Sequence, residues 1–314
     1  MAEADLIPTR CAICGTQGQA AELHPANFSL DHLTAEVFSA RRLPDRIHYR
    51  LVKCHTCGLV RSDPVVAPAR LAQLYAQSTF TYGGEVGDLR RTYGRYLAKL
   101  IRCGVRKNAL LEIGCGSGFF LEEALDRGFQ VVRGIEPSQQ AIDQAAPRVR
   151  GGIVCGLMGP GIFHADQFDV ICLFQVFDHL LEPGALLDEC FRLLKPGGFM
   201  LCINHNIEAI SARLLGERSP IIDVEHTYLY SPATMARIFL DHGFHIRRRG
   251  GVWNTYHLGY LMRLIPMPTA LKRRLLDGMK NSRIGRLRLS VPLGNLYLMA
   301  QKPDVAPTGA RIQT

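Results

Sequence analysis

Between positions 108 and 203 the chain alternates short apolar runs with stretches whose apolar residues recur every three or four positions. Runs of the first kind read as buried strands and those of the second as amphipathic helices. ALLEI (109–113), VVRGI (131–135), GIVCG (152–156), FDVICLF (168–174) and FMLCI (199–203) are the predicted strands. FFLEEALDRG, SQQAIDQAA with Ser138 as its cap, and ALLDECFRLL, stopped by KPGG, are the predicted helices between them. GIVCG and FDVICLF both look too apolar for sheet edges. Farther on, SPATMARIFLDHG reads as a helix with a serine cap and a first-turn proline, while HIRRRGGVW and NLYLMAQK read as two more strands. Upstream, DLRRTYGRYLAKLIR places Leu89, Tyr93, Tyr96, Leu97 and Leu100 on one face of a helix that should pack on this domain. Strands alternating with crossover helices predict a doubly wound α/β sheet. Residues 108–302 therefore form the main domain, after a joint at 66–107 and before a tail at 303–314.

In such a sheet the ligand lies beyond the carboxyl ends of the strands, so the loop after the first strand belongs to the site. That loop is bare: LLEIGCGSGFF places Gly114, Gly116 and Gly118 at every second position after Glu112. Glycines let the backbone bend sharply and press against a ligand at a helix N-terminus. The dinucleotide fingerprint needs its third glycine at position 119, where this chain has Phe, which weakens a nicotinamide oxidoreductase reading. Glu136 ends the second strand, where a carboxylate can accept hydrogen bonds from both hydroxyls of a ribose.

Charge redirects attention to the C-terminal third. The chain carries a net +9, yet residues 247–288 alone hold eleven cations against one acid, Asp277. The basic surface is therefore local. Within it, LGYLMRLIPMPTALKRRLLDGMKNSRIGRLRL (about 256–290) shows two apolar helical stripes, which suit an amphipathic lid or a face for an anionic acceptor or membrane surface. Aromatic residues are too sparse there for nucleic-acid stacking, so no specific nucleic acid is expected. No apolar run reaches membrane-spanning length and MAEADLIPTR does not resemble an export signal, which predicts a cytoplasmic protein.

Four of the ten cysteines form two matched knuckles, RCAICG with Cys11 and Cys14, and VKCHTCG with Cys54 and Cys57. Paired C-x-x-C turns each aim two thiolates at one ion, so residues 1–65 are expected to form a small ribbon around structural zinc. A redox dithiol is the alternative. The remaining cysteines, 103, 115, 155, 172, 190 and 202, stand singly in apolar surroundings and read as packing residues.

E-x-G-x-G-x-G at Glu112–Gly118, the acid Glu136 and the run FDVICLFQVFDHLLEPGALLDECFRLLKPGGFMLCI together resemble the class I S-adenosylmethionine-dependent methyltransferases. The resemblance implies a seven-stranded Rossmann-like sheet and places S-adenosylmethionine against Glu112, Gly114, Cys115, Gly116, Gly118 and Glu136, with Leu157 near adenine and Gln175 as a hydrogen-bond partner. The knuckled front end looks like the zinc module of sugar and natural-product methyltransferases. Acceptors implied are a sugar, nucleotide sugar, lipid-linked glycan or natural-product intermediate. An acid-His pair also resembles the ubiquinone-type O-methyltransferases, where two Glu and a His can hold a divalent ion; here Gln175, Asp178 and His179 occupy those places, and Gln is a poor ligand for a hard cation. Acceptor deprotonation suits histidine. His179, His205 and His226 are the candidate bases, the last within an EH-x-x-x-x-S pattern, and Tyr82 is a candidate lid residue. RNA-directed methylation and a non-catalytic docking protein are the rival readings.

Overall fold

A computed structural model of the 314-residue chain describes residues 6–29, 33, 34, 37, 46–77, 86–264, 269–279, 282, 285 and 287–304. Seven strands form the central sheet: β1 (Ala109–Ile113), β2 (Val131–Glu136), β3 (Ile153–Cys155), β4 (Phe168–Phe174), β5 (Leu194–His205), β6 (His245–Gly251) and β7 (Asn295–Gln301). Their spatial order is β6-β7-β5-β4-β1-β2-β3. β7 runs antiparallel to β5 and β6, and the ladders joining β5, β4, β1, β2 and β3 are parallel. Strand order reverses between β1 and β4, which puts the ligand crevice at their carboxyl ends.

Two core layers sandwich the sheet, and period-two alternation sorts the side chains between them. Leu110 and Val170 face one layer; Leu111, Ile113 and Ile171 face the other. Helix α2 (Val86–Ile101) covers the first layer with Leu89, Tyr93, Tyr96, Leu97 and Leu100, the face its periodicity predicts, together with α3 (Phe119–Asp126). α4 (Pro183–Leu193) and α5 (Pro232–Asp241) cover the second, α5 opening with a reciprocal Ser231–Thr234 capping box.

Three sequence expectations change. GIVCG gives only the three residues of β3, and these form an edge strand with Val154 38% exposed, because the chain crosses back over β1 before forming β4. SQQAIDQAA is helical only over Gln139–Asp143, and a new short turn of helix begins at Pro147. KPGG does end α4, but its residues already belong to β5.

The front end is an antiparallel sheet of Ala20–His24, Leu51–Cys54 and Val60–Ser62, completed by Tyr228–Leu229 from the main domain. Cys11, Cys54 and Leu59 share the core layer of α4 and α5, so this sheet packs directly on the main domain. The joint contains α1 (Pro68–Ala76), and Tyr82 lies outside the described residues.

In the basic segment, Arg247, Arg248 and Arg249 are exposed on edge strand β6, where like charge keeps the open edge from pairing with another chain. Beyond β6, a hairpin of Asn254–His257 with Arg288–Val291 brackets helices Leu258–Leu264 and Thr269–Met279. Buried Asp88 ties that hairpin to α2, accepting hydrogen bonds from His257 Nδ1 at 2.9 Å and Arg288 Nε at 2.9 Å. The side chains of Arg263, Lys280, Arg283 and Arg286 lie outside the described residues. Among those described, no helix is long and apolar enough to cross a membrane.

Candidate active site

The carboxyl ends of β1, β2, β4 and β5 open into one cavity of about 1340 Å³. Single-ligand pockets usually measure about 300–1,000 Å³, so this one has room for a cofactor and a second molecule.

At one end stands the glycine loop. Gly114 has φ 71°, and a Cβ there would run into the Val176 side chain, so only glycine fits. Gly116 donates its backbone N–H to Glu136 Oε2 at 2.9 Å, and Ser138 donates to Oε1 at 3.0 Å. Glu136 thereby locks the loop to the end of β2 while still lining the cavity. Burial pushes its carboxyl above the ordinary range, opposed by those two N–H groups. Glu112 is fully buried with Oε2 unpartnered, and burial followed by repulsion from Glu136 raises it far more. Cys115 is buried behind the loop; Leu157 is 55% exposed at the cavity edge. Gln175 adopts φ 58°, and its buried Oε1 has no protein partner. Positive φ at a non-glycine residue in a cavity wall is a local cost of the kind that collects at functional sites.

Deeper in, three histidines surround one carboxylate. Asp178 Oδ2 accepts a hydrogen bond from His205 Nδ1 at 2.7 Å, and lies 4.0 Å from His226 Nε2. Asp178 Oδ1 is 3.7 Å from His179 Nε2 and has no hydrogen-bond partner. Burial alone would raise the Asp178 carboxyl, but the His205 hydrogen bond and the neighbouring imidazoles hold it well below the ordinary range. Burial drives His179 the other way, to about 3, so it stays neutral. His226 is also lowered, by burial and then by His205.

Partners fix the tautomers. Facing an ionised carboxylate, His205 Nδ1 must carry the proton, and in the neutral ring Nε2 is then the acceptor. His226 Nδ1 donates to the Ile221 carbonyl at 2.8 Å, so its Nε2 is likewise unprotonated. His179 Nδ1 instead meets the Tyr75 hydroxyl at 3.0 Å. Leu215, Ile221, Tyr256, Tyr260, Leu261 and Leu293 add apolar surface to the cavity lining.

A family model described as a methyltransferase domain matches residues 87–248, more than half of the chain. The chain belongs to the class I S-adenosylmethionine-dependent methyltransferase family. A ubiquinone biosynthesis O-methyltransferase of Psychrobacter arcticus is 27% identical over 161 residues, covering 46% of this chain and 62% of that protein. One from Caulobacter vibrioides is 34% identical over 118 residues, covering 34% and 45%. The match thus spans about half the length of these curated relatives. The structure of a SAM-dependent methyltransferase from Archaeoglobus fulgidus superimposes with a TM-score of 0.45 at 18% identity, covering 68% of this chain and 94% of that one.

In this methyltransferase domain the sequence-derived candidates occupy two ends of one cavity: Glu112, Gly114, Cys115, Gly116, Glu136, Leu157 and Gln175 at the first, His179, His205 and His226 at the second. Gly118 is the N-cap of α3, behind the loop, at φ 69°. Sequence reasoning missed two residues. In the sequence Asp178 stands out only as a counterpart of a metal ligand, whereas it is the hub of the imidazole cluster. Tyr75 sits in the joint, where nothing in its helical spacing separates it from a core aromatic.

The two cysteine knuckles converge as well. Cys11 and Cys57 Sγ lie 3.2 Å apart, Cys14 and Cys54 Sγ 3.5 Å apart, and all four within 4.8 Å of one another. Burial opposes ionisation of Cys54, but the Cys57 N–H, the Thr16 hydroxyl and the Thr56 N–H outweigh it and bring the thiol down to about 6. Four convergent sulfurs with N–H support fit a closed tetrahedral zinc shell. Asp178, His179 and His226 also place one donor atom each within 4.8 Å of one another.

Proposed function

We propose that the protein transfers a methyl group from S-adenosylmethionine to a hydroxyl of a small acceptor with an apolar body, using the Asp178–His205 pair as the base. One observation carries this reading: a single cavity joins the glycine loop to an Asp-oriented histidine whose Nε2 is free to accept a proton. The cofactor would be held by Glu136 and the backbone of Gly114–Gly118, with Glu112 and Gln175 offering unpartnered oxygens nearby. Bound, it supplies an electrophilic methyl group on a sulfonium, so the protein's own tasks are orientation and proton removal.

His205 performs the second task. Asp178 fixes its tautomer and stabilises the imidazolium formed when the acceptor proton arrives. His179, held neutral and occupied by Tyr75, is a poorer base and instead packs behind His226, with ring centroids 5.0 Å apart. His226 presents a second unprotonated Nε2, suited to hold the acceptor's hydroxyl. This apolar lining suits a phenolic or lipid-linked body better than a free sugar. The four cysteines hold zinc as a structural ion in this reading.

Calorimetry with S-adenosylhomocysteine on the wild type and Glu136→Ala tests the cofactor; labelled methyl transfer to phenols, quinols and lipid-linked sugars, with and without EDTA, tests the acceptor. Micromolar binding weakened by the substitution supports the reading. A folded protein that binds NADH and not S-adenosylhomocysteine would sink it.

A further inference from the structure

The segment carrying His226 is gripped from both sides. On the domain side, Thr227 and Tyr228 donate their backbone N–H groups to the Asp178 carbonyl at 2.8 and 3.1 Å. Across from it, the cysteine module takes hold. Ser62 is fully buried, donates its hydroxyl to the His226 carbonyl at 2.7 Å, and gives its N–H to the Thr227 carbonyl at 2.9 Å. Arg61 and Val60 continue as a ladder with Tyr228 and Leu229, and the Tyr228 hydroxyl donates to the Arg10 carbonyl at 2.8 Å.

Each holding group on the module side is close in sequence to a knuckle. Arg10 precedes Cys11, and Val60–Ser62 follow Cys57 by three to five residues. The two knuckles are also cross-tied at this point, where the Thr9 hydroxyl donates to the Ser62 carbonyl at 2.7 Å. By contrast, the cofactor loop is held by Glu136 and by the Ile135 carbonyl, which accepts the Gly114 N–H at 2.8 Å.

We propose that the cysteine module is the clamp that positions the His226 imidazole, with the Ser62 hydroxyl as its working contact, so that the state of the four cysteines governs the acceptor side and leaves the cofactor side intact. This rests on the reading of His226 as an acceptor-side group. The chain of causes is short. A closed four-thiolate shell fixes both knuckles. The knuckles fix Ser62, and Ser62 fixes the backbone from which His226 reaches the Ile221 carbonyl. That last bond decides which ring nitrogen is bare.

The full chain, loaded with Zn²⁺, is compared as wild type, Ser62→Thr and Ser62→Val. These substitutions add nearly the same bulk and differ by a hydroxyl, so a difference between them reports the hydrogen bond. Long-range ¹H–¹⁵N spectra of the histidine rings, assigned with His226→Gln, read the His226 tautomer, and calorimetry reads affinity for S-adenosylhomocysteine. The expected result is a wild-type His226 signal in S62T and mixed tautomers in S62V, with affinity within about twofold throughout, a change of under ~0.5 kcal/mol. Stripping the metal with EDTA should reproduce the S62V spectrum at the same affinity. Ser62→Ala stands in if S62V does not fold. Identical His226 spectra in the threonine and valine variants, an unmoved signal after metal removal, or cofactor affinity that falls in step with the signal would each overturn the clamp. Absence of binding in the wild type would strike the methyltransferase reading itself, a distinguishable failure.

Discussion

The two ends of the cavity are built in opposite ways. The end proposed for the cofactor comes mainly from one stretch, Glu112 to Gln175, and rests largely on backbone: a loop that must be glycine at 114 and a carboxylate on two N–H groups. The end proposed for the acceptor is side-chain chemistry gathered from remote places, Tyr75, Asp178 and His179, His205, His226, and Tyr256 with Tyr260. A contiguous site can be locally rigid on its own, whereas a gathered one depends on every element that delivers a member.

The contrast is open to direct attack. His205→Gln should break the acceptor end alone, cutting methyl transfer by about 10²–10⁴-fold, the usual worth of a general base. Calorimetry with S-adenosylhomocysteine should then give an unchanged affinity; parallel losses would erase the distinction. Gly114→Ala should do the reverse. Its left-handed backbone and the Val176 contact impose strain of roughly 1–3 kcal/mol, and cofactor affinity should fall by about 5- to 150-fold.

Acid should find the acceptor end first. His179 is held near 3 in the folded protein, below its ordinary value of 6.5. Between those values the unfolded chain binds the extra proton, so the His179 contribution to stability is full above about pH 6.5 and drains as pH falls toward 3. The raised carboxyls of Glu112 and Glu136 act in the opposite sense, so the test is a difference: between pH 7 and 4.5 the denaturant midpoint should fall more steeply in the wild type than in His179→Gln. An equally steep decline in the variant would remove His179 from the account. The smallest effect belongs to neither end: Ser231→Ala loses the α5 capping box and should lower stability by about 1 kcal/mol, with cofactor affinity unmoved.

How much of this the sequence showed follows from the same contrast. The glycine spacing, Glu136 and the strand–helix alternation are local signals, and the chain displays them in order. Edges are not local: whether GIVCG is interior depends on which strand pairs beyond it, and among the described residues none does. The three histidines could be named one by one, but only the fold shows that Asp178 stands among them or that Ile221 and Asp178 set the tautomers. Tyr75 was invisible for the same reason, its partner lying 104 residues away.

The front sheet borrows its fourth strand, Tyr228–Leu229, from a point long after its own three strands have been made. During synthesis the knuckles leave the ribosome first yet carry an open edge at Val60–Ser62 until residues 228–229 arrive. At about 5–20 residues per second that wait lasts on the order of ten to thirty seconds. A solitary front piece should thus be prone to pair its bare edge with a stranger, and transplanting it to another protein would carry the metal ligands without the strand that closes the sheet.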